Sequence, residues 1–384
     1  MDISRLSPKA LEKAFETKFR QIIAEAFPQS KIAVVAESGA DCGVDFVLHS
    51  ESPLGPTFEF LVECKANPRP SLVQEAPCAV RNSDVPAVAI TRDFDSHHKL
   101  KRVRSWVFAA PFVSPRLGEV CWDRGWGWFD LAGNCRINIP GLLYIDRKGN
   151  EPIHRTLRPD ANLGTSEAAR IIRALLKPEH NMVNWSSQRD LQRQTKPGVS
   201  LGLVNKVVSH LRSEGYLIDE PDEGFRVVDK AKLLVAWRDA YRFDRLPKVE
   251  WFTLLKGPEI ESALQRMNGG NETRIAWAAF SAAERQAPIV RQHKYWLMAS
   301  DDHIDWAVDE LQAKPVGTGA NLVLLTAPDS GYLDGALDED RAGLCTHPLQ
   351  TFVDTWHAGS RGHEAADAVF ERRLKPLWQN AVLR

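Results

Sequence analysis

The sequence predicts an α/β chain in three parts. Residues 1–150 read as a mixed sheet flanked by helices, 165–230 as three helices closed by a hairpin, and 231–384 as an α+β segment. Three observations predict this. At 384 residues the chain exceeds one ordinary domain, and two or three domains is the expectation. A helical period opens the chain and is followed by a succession of β-rich runs. A polar, turn-rich stretch, RKGNEPIHRTLRPDANLGT, then separates that block from three helical patterns in close order.

From Pro8 to Phe27, the residues Leu11, Phe15, Phe19, Ile22, Ile23 and Ala26 recur at helical spacing and predict an amphipathic helix. KIAVVAES reads as a strand, and two more strand-like runs share GVDFVLHSESPLGPTFEFLVECKAN, residues 43–67. LVQEAPCAV is a short helix interrupted by Pro77. PAVAIT (86–91) and SWVFAAPF (105–112) have the apolar character of buried strands. A helix is expected between Pro115 and Trp126, then WFDLAGNCRINI and LLYID as two more strands. Beyond the linker come helices at Ser166–Leu176, Ser186–Thr195 and Ser200–Glu214, the last two separated by Lys196-Pro197-Gly198. YLIDEPDEGFRVVD reads as two short strands about a glycine-containing turn. From about Leu233 helices and strands mix, among them KYWLMAS, IDWAVDEL and ANLVLLTA, with closing helices starting near Pro348 and Arg361. Internal repeats and low-complexity tracts are absent from the sequence.

Hydrophobic residues make up 43% of the chain, enough for each part to bury a core, and the formal net charge is −1. Any basic surface must therefore be local. The start, MDISRLSPKALEKAF, lacks the apolar run of a signal peptide, and no segment approaches the roughly 20 apolar residues that span a bilayer. The six cysteines include no CxxC pair and no Cys/His ligand spacing, which argues against a structural zinc site. A cytoplasmic protein without membrane contact is expected.

Two strands of the opening block carry charge where a core is expected. Side chains alternate faces along a strand. In FEFLVECK, Phe58, Phe60, Val62 and Cys64 share one face, leaving Glu59, Leu61, Glu63 and Lys65 on the other. In GVDFVLH, Val44, Phe46 and Leu48 point one way and Asp45 the other. A hairpin between the two strands gathers Asp45, Glu63 and Lys65 on one side. Two close carboxylates repel unless a cation lies between them, so Asp45 and Glu63 suit a hard divalent ion, Mg²⁺ or Mn²⁺. Such an ion lowers the pKa of bound water and stabilises charge on a phosphate under in-line attack, and a neighbouring lysine offsets charge in the transition state. The chemistry implied is phosphodiester hydrolysis, with Asp45, Glu63 and Lys65 as catalytic candidates. The set resembles the PD-(D/E)XK nuclease superfamily, with Asp45 as first acid and Glu63 and Lys65 as the (D/E)-x-K pair. That resemblance implies a restriction-endonuclease-like sheet and a further acid from the first helix, for which Glu16 and Glu12 both stand available. Val44 stands where the signature has proline. The bland alternative is an exposed Glu63–Lys65 pair of little energetic worth.

In SQRDLQRQTKPGVSLGLVNKVVSHLRSEGYLI, Ser200 sits at an N-cap position, and Leu203, Val204, Val207, Val208 and Leu211 form an apolar stripe. The opposite side carries Ser200, Gly202, Asn205, Lys206 and Ser209. A helix that enters a major groove needs such small, hydrogen-bonding residues. Asp222-Glu223-Gly224-Phe225-Arg226 forms a wing from which Arg226 reaches a phosphate. The pattern resembles the winged helix-turn-helix of bacterial regulators and implies double-stranded DNA as partner; a winged helix used for protein contacts is the alternative. SHHKLKRVRS adds Lys99, Lys101, Arg102 and Arg104, either a salt-sensitive grip on DNA backbone or a solvated loop or helix face. Trp122, Trp126 and Trp128 read as buried packing, and Asp301-Asp302-His303 as a helix cap rather than a metal site.

APFVSPRLGEVCWDRGWGWFDLAGNCRI, VSLGLVNKVVSHLRSEGYL and HPLQTFVDTWHAGSRGHEAADAVFERRL together resemble the abortive-infection type IV antitoxin family of regulators. The resemblance covers most of residues 105–384. It implies a non-catalytic transcriptional repressor or antitoxin of a defence or mobile-element operon, with an operon-encoded protein partner. Winged regulators on symmetric sites commonly go with a homodimer. The Asp45…Glu63-x-Lys65 set and the basic run before Ser105 depart from a purely regulatory chain.

Overall fold

The structure, a computed structural model, describes residues 8–35, 44–51, 56–75, 102–153, 161–177, 185, 187–220, 223–268, 273–338 and 343–381. It is a mixed α/β chain whose contacts divide into two compact units. One comprises Met1–Arg158 with Arg212–Gly215, the other Pro159–Leu211 with Tyr216–Arg384.

The first unit runs α1 (Pro8–Ala26), β1 (Lys31–Val35), β2 (Phe46–Glu51), β3 (Thr57–Cys64), α2 (Pro70–Glu75), β4 (Arg102–Ala110), α3 (Pro115–Asp123), β5 (Gly127–Asp130), β6 (Cys135–Ile139) and β7 (Leu143–Arg147). The seven strands lie in sequence order in one sheet; β3, β4 and β5 are mutually parallel and the other neighbours antiparallel. Alternation along β2 and β3 sets the two faces. Phe46, Leu48, Phe58, Phe60 and Val62 pack beneath Leu11, Phe15, Phe19, Ile22 and Ile23 of α1. Val47, Leu61, Trp106 and Phe108 meet Leu117 and Val120 of α3, with Trp126 and Trp128 filling that layer. PAVAIT lies outside the described residues.

WFDLAGNCRINI does not continue as one strand. Asp130, fully buried at the end of β5, accepts hydrogen bonds from the Asn134 backbone N–H (2.9 Å), the Asn134 side-chain amide (2.9 Å) and the Val113 N–H (3.3 Å). Those bonds fold LAGN into a tight turn, with Gly133 at φ +94°, and split the run into β5 and β6.

The second unit begins with α4 (Ser166–Leu176), α5 (Gln188–Arg193) and α6 (Leu201–Ser213), followed by β8 (Leu217–Glu220) and β9 (Gly224–Val227) paired as a hairpin. Trp185 adds a bridge to Phe225, its backbone N–H and C=O both engaged (2.7 and 2.9 Å). Thr165 and Ser187 cap α4 and α5 through their hydroxyls. Val204, Val207, Val208 and Leu211 of α6 are fully buried, each worth about 1.5–3 kcal/mol. The chain continues through α7 (Lys230–Ala240), β10 (Lys248–Phe252), α8 (Gly257–Met267), β11 (Ile275–Trp277), α9 (Ala279–Gln286), β12 (Tyr295–Ser300), α10 (Ile304–Glu310), β13 (Lys314–Pro315) and β14 (Leu322–Ala327). It closes with β15 (Leu337–Asp338), β16 (Leu344–Cys345), α11 (Pro348–His357), α12 (Gly362–Val369) and α13 (Lys375–Ala381). Its sheet has the order β13-β10-β14-β12-β11-β16-β15. Ile260, Leu264 and Leu311 cover one face, while Phe280, Leu349 and Phe352 belong to the same core as the three-helix segment. Leu233, Leu234 and Trp237 of α7 carry that core across residue 230, so no division falls where the third part was expected. Asp301–His303 is a 3-10 turn without a side-chain cap; the Ser300 hydroxyl meets His303 Nδ1 (2.8 Å) instead.

Candidate functional site

The charged set sits at the carboxyl end of β3. The antiparallel register pairs Phe46 with Val62, and the Asp45 N–H donates to Val62 O (2.9 Å), which brings Asp45 level with Glu63. Asp45 is exposed, and one of its carboxylate oxygens accepts the Cys64 N–H. Glu63 is largely buried and pairs with Lys65 (Nζ–Oε1 2.9 Å). Lys65 N–H donates to Ala109 O (2.9 Å), so the neighbouring parallel strand fixes its backbone. Burial pulls the Lys65 ammonium down, but the Glu63 hydrogen bond and the Glu63 and Asp45 charges hold it above its usual range. Three groups read from alternation thus share one end of the sheet within electrostatic reach.

Of the two helix acids left open, Glu16 is committed to Lys13 (3.1 Å) and Arg20 (3.1 Å) on its own helix. Glu12 faces the strand ends: burial first, then the Asp45 and Glu12 carboxylates, push the Cys64 thiol up. Among the described residues no group of three or more His, Cys, Asp and Glu side chains is arranged to hold a metal ion. The oxygens at hand are the two carboxylates of Asp45 and Glu63. Mg²⁺ and Mn²⁺ suit such a donor set, because the smaller hard ions keep several waters and bind through one or two carboxylates.

The basic run divides. Lys99 and Lys101 lie outside the described residues, and Arg102 opens β4, its side chain outside them. Arg104 also belongs to β4, opposite Glu59 on β3, and its guanidinium grips that buried carboxylate (3.2 Å). From Arg102 onward the expected loop or helix face is a strand, and the Arg104 guanidinium serves the sheet.

On α6 the two sides separate as expected. Ser200, Gly202, Asn205, Lys206 and Ser209 are all exposed, opposite the buried valines. Ser200 Oγ accepts the Leu203 N–H (3.2 Å) and so caps the helix. Arg226 lies on β9 opposite Ile218, half-buried, beside Gly224 at the hairpin turn; Asp222 lies outside the described residues.

Sequence reasoning missed a buried polar cluster in the second unit. Arg173, on α4 and 3% exposed, donates to Gln350 Oε1 (2.7 Å). Gln350 donates to Tyr241 OH (3.0 Å) and Asp354 Oδ1 (2.9 Å), and Tyr241 OH donates to the same Oδ1 (2.6 Å). Burial pushes Asp354 up to about 7. In the sequence its only trace is the i, i+4 spacing of Gln350 and Asp354 on the same face of that helix.

No protein-family model, curated protein or solved structure matches the chain.

Proposed function

We propose that this is a DNA-binding protein in which the α4–α6 segment with its hairpin acts as a winged helix-turn-helix on duplex DNA. The observation that carries the reading is α6. Its apolar stripe is consumed by the core, while five small or hydrogen-bonding residues remain exposed along the other side. Small groups let a helix approach base edges closely, and Asn205 and Lys206 supply donors there. Trp185 adds a third, one-residue strand to the hairpin, in keeping with a wing.

The first unit supports a second role in the same reading, as a PD-(D/E)XK-like domain acting on the phosphodiester backbone. Asp45 and Glu63 would hold Mg²⁺ or Mn²⁺, with Glu12 as the acid from the helix. When bound, the ion supplies an activated water and neutralises phosphate charge. Lys65, held protonated by Glu63 and Asp45, offers its ammonium to a phosphate oxygen. One observation favours the alternative, a non-catalytic repressor or antitoxin: the Lys65 charge is already neutralised by Glu63.

The test incubates plasmid and linear DNA with the protein and Mg²⁺ or Mn²⁺, alongside Lys65→Ala. Metal-dependent cutting that disappears in Lys65→Ala supports the nuclease. Binding without cutting, weakened by Lys206→Ala and indifferent to Glu63→Ala, supports the repressor. Absence of DNA binding at low salt refutes both.

A further inference from the structure

Helix α6 contains no Asp or Glu along its whole length, LGLVNKVVSHLRS. Its outward side is not uniformly polar. Leu201 is 37% exposed, a large apolar side chain that the core leaves uncovered. Asn205 follows one turn later on the same side, exposed and without a side-chain hydrogen bond among the described residues. Lys206 stands next in the chain, exposed and without an ion-pair partner among the described residues, and the same holds for Arg189 on α5. Gly202 falls between Leu201 and Asn205. Its backbone is helical, with no left-handed φ, and a Cβ added there would meet nothing closer than Ser200 Oγ at 4.0 Å. Alanine would fit and is the better helix former. No described neighbour calls for the missing side chain, whereas close approach of a partner does.

We propose that α6 reads adenine and thymine in the major groove of duplex DNA, Asn205 holding an adenine and Leu201 covering the methyl group of a thymine. This rests on the DNA-binding reading above and adds which bases are read. The Asn205 amide matches the adenine edge, its oxygen accepting from the exocyclic amine and its NH₂ donating to N7. Leu201 offers no polar atom, and the thymine methyl is the apolar group that a base presents in that groove. Arginine, the commonest reader of guanine, is absent from the exposed residues of α6. Four helical residues rise about 6 Å, against about 3.4 Å per base pair, so the two contacts fall within about two base-pair steps. Gly202 lets the helix backbone close on the bases between them. Lys206 and Arg189 supply charge for phosphates, which position the helix without reading sequence.

The test is selection of duplexes from a random library by the full chain, then fluorescence anisotropy on the selected duplex. Enrichment of an adenine and a thymine within two steps of each other is expected. Asn205→Ala should bind about tenfold more weakly and lose the preference at the adenine. Replacing the thymine by deoxyuridine, which removes only the methyl, should weaken the wild type about fourfold and leave Leu201→Ala unaffected. Gly202→Ala should melt no lower than the wild type and yet bind more weakly, a combination that a purely structural glycine would not give. All three positions are exposed, and unchanged melting temperatures show that the other two variants fold. No binding to any duplex at low salt removes the DNA-binding reading and this inference with it. Duplex binding without an adenine and thymine preference, a methyl effect that persists in Leu201→Ala, or full-strength binding by Gly202→Ala overturns this inference and leaves DNA binding standing.

Discussion

Replacing Asp354 by asparagine should remove a pH dependence from the stability of the second unit. Asp354 is fully buried on α11, with Tyr241 and Gln350 donating to one carboxylate oxygen and the other without a hydrogen-bond partner among the described residues. Burial pushes its pKa up to about 7, from the ordinary 3.8, while the Tyr241 and Gln350 hydrogen bonds and the Arg173 charge pull it back. The folded chain therefore holds this proton more tightly than the unfolded chain. The corresponding stability is complete below about pH 4 and is lost as pH rises through about 7. At about 1.4 kcal/mol per pH unit, that interval amounts to about 4 kcal/mol as an upper figure. An asparagine at this position has no proton to lose and places an amide where the orphaned oxygen stands. Urea denaturation of both proteins, followed by circular dichroism from about pH 4 to about pH 8, reads the difference. Asp354→Asn should gain on the wild type from about pH 4 to about pH 7 and keep a constant advantage above that. A stability difference that stays constant with pH would refute the account of the buried carboxyl.

Arg104→Ala, which takes one charged partner from the buried Glu59 carboxylate, should cost about 1–3 kcal/mol, with partial rescue by Glu59→Gln and no change in the salt dependence of DNA binding. Asp130→Ala, which orphans three donors at the β5–β6 turn, should lower denaturant stability of the first unit by about 3 kcal/mol. Lys206→Ala should weaken duplex binding across sequences and reduce the slope of log affinity against log salt by about 1 in fluorescence anisotropy. Gly164→Ala would set a Cβ 2.1 Å from Ala240 O, so a loss of about 1–3 kcal/mol is expected by calorimetric melting.

Periodicity alone revealed what depends on neighbours in sequence. The α1 stripe of Leu11, Phe15, Phe19, Ile22 and Ile23 and the alternation along β2 and β3 are local signals, and they sufficed to aim Asp45, Glu63 and Lys65 at one end of a sheet. What escaped is held together across long stretches of chain. Arg104 reads as a surface cation until β4 is known to lie parallel to β3, which puts it opposite Glu59, 45 residues earlier. Tyr241 and Asp354, 113 residues apart, give no shared pattern. Trp185 forms a bridge one residue long, too short for any period. Glu12 and Glu16 are equivalent in sequence, and only the side chains of Lys13 and Arg20 decide that Glu16 is occupied. The core passing through Leu233, Leu234 and Trp237 likewise hides any division near residue 230.

Strand β3 is laddered on both sides, to β2 over six residue pairs and to β4 over eight. Freeing it means tearing both seams together, which makes the middle of this sheet the last place to open. Glu63 and Lys65, mounted on its tip, inherit that permanence and cannot wander while the strand persists. Heat or denaturant should then erase their geometry and the surrounding architecture along a single curve, leaving no regime in which a folded but disarmed molecule accumulates.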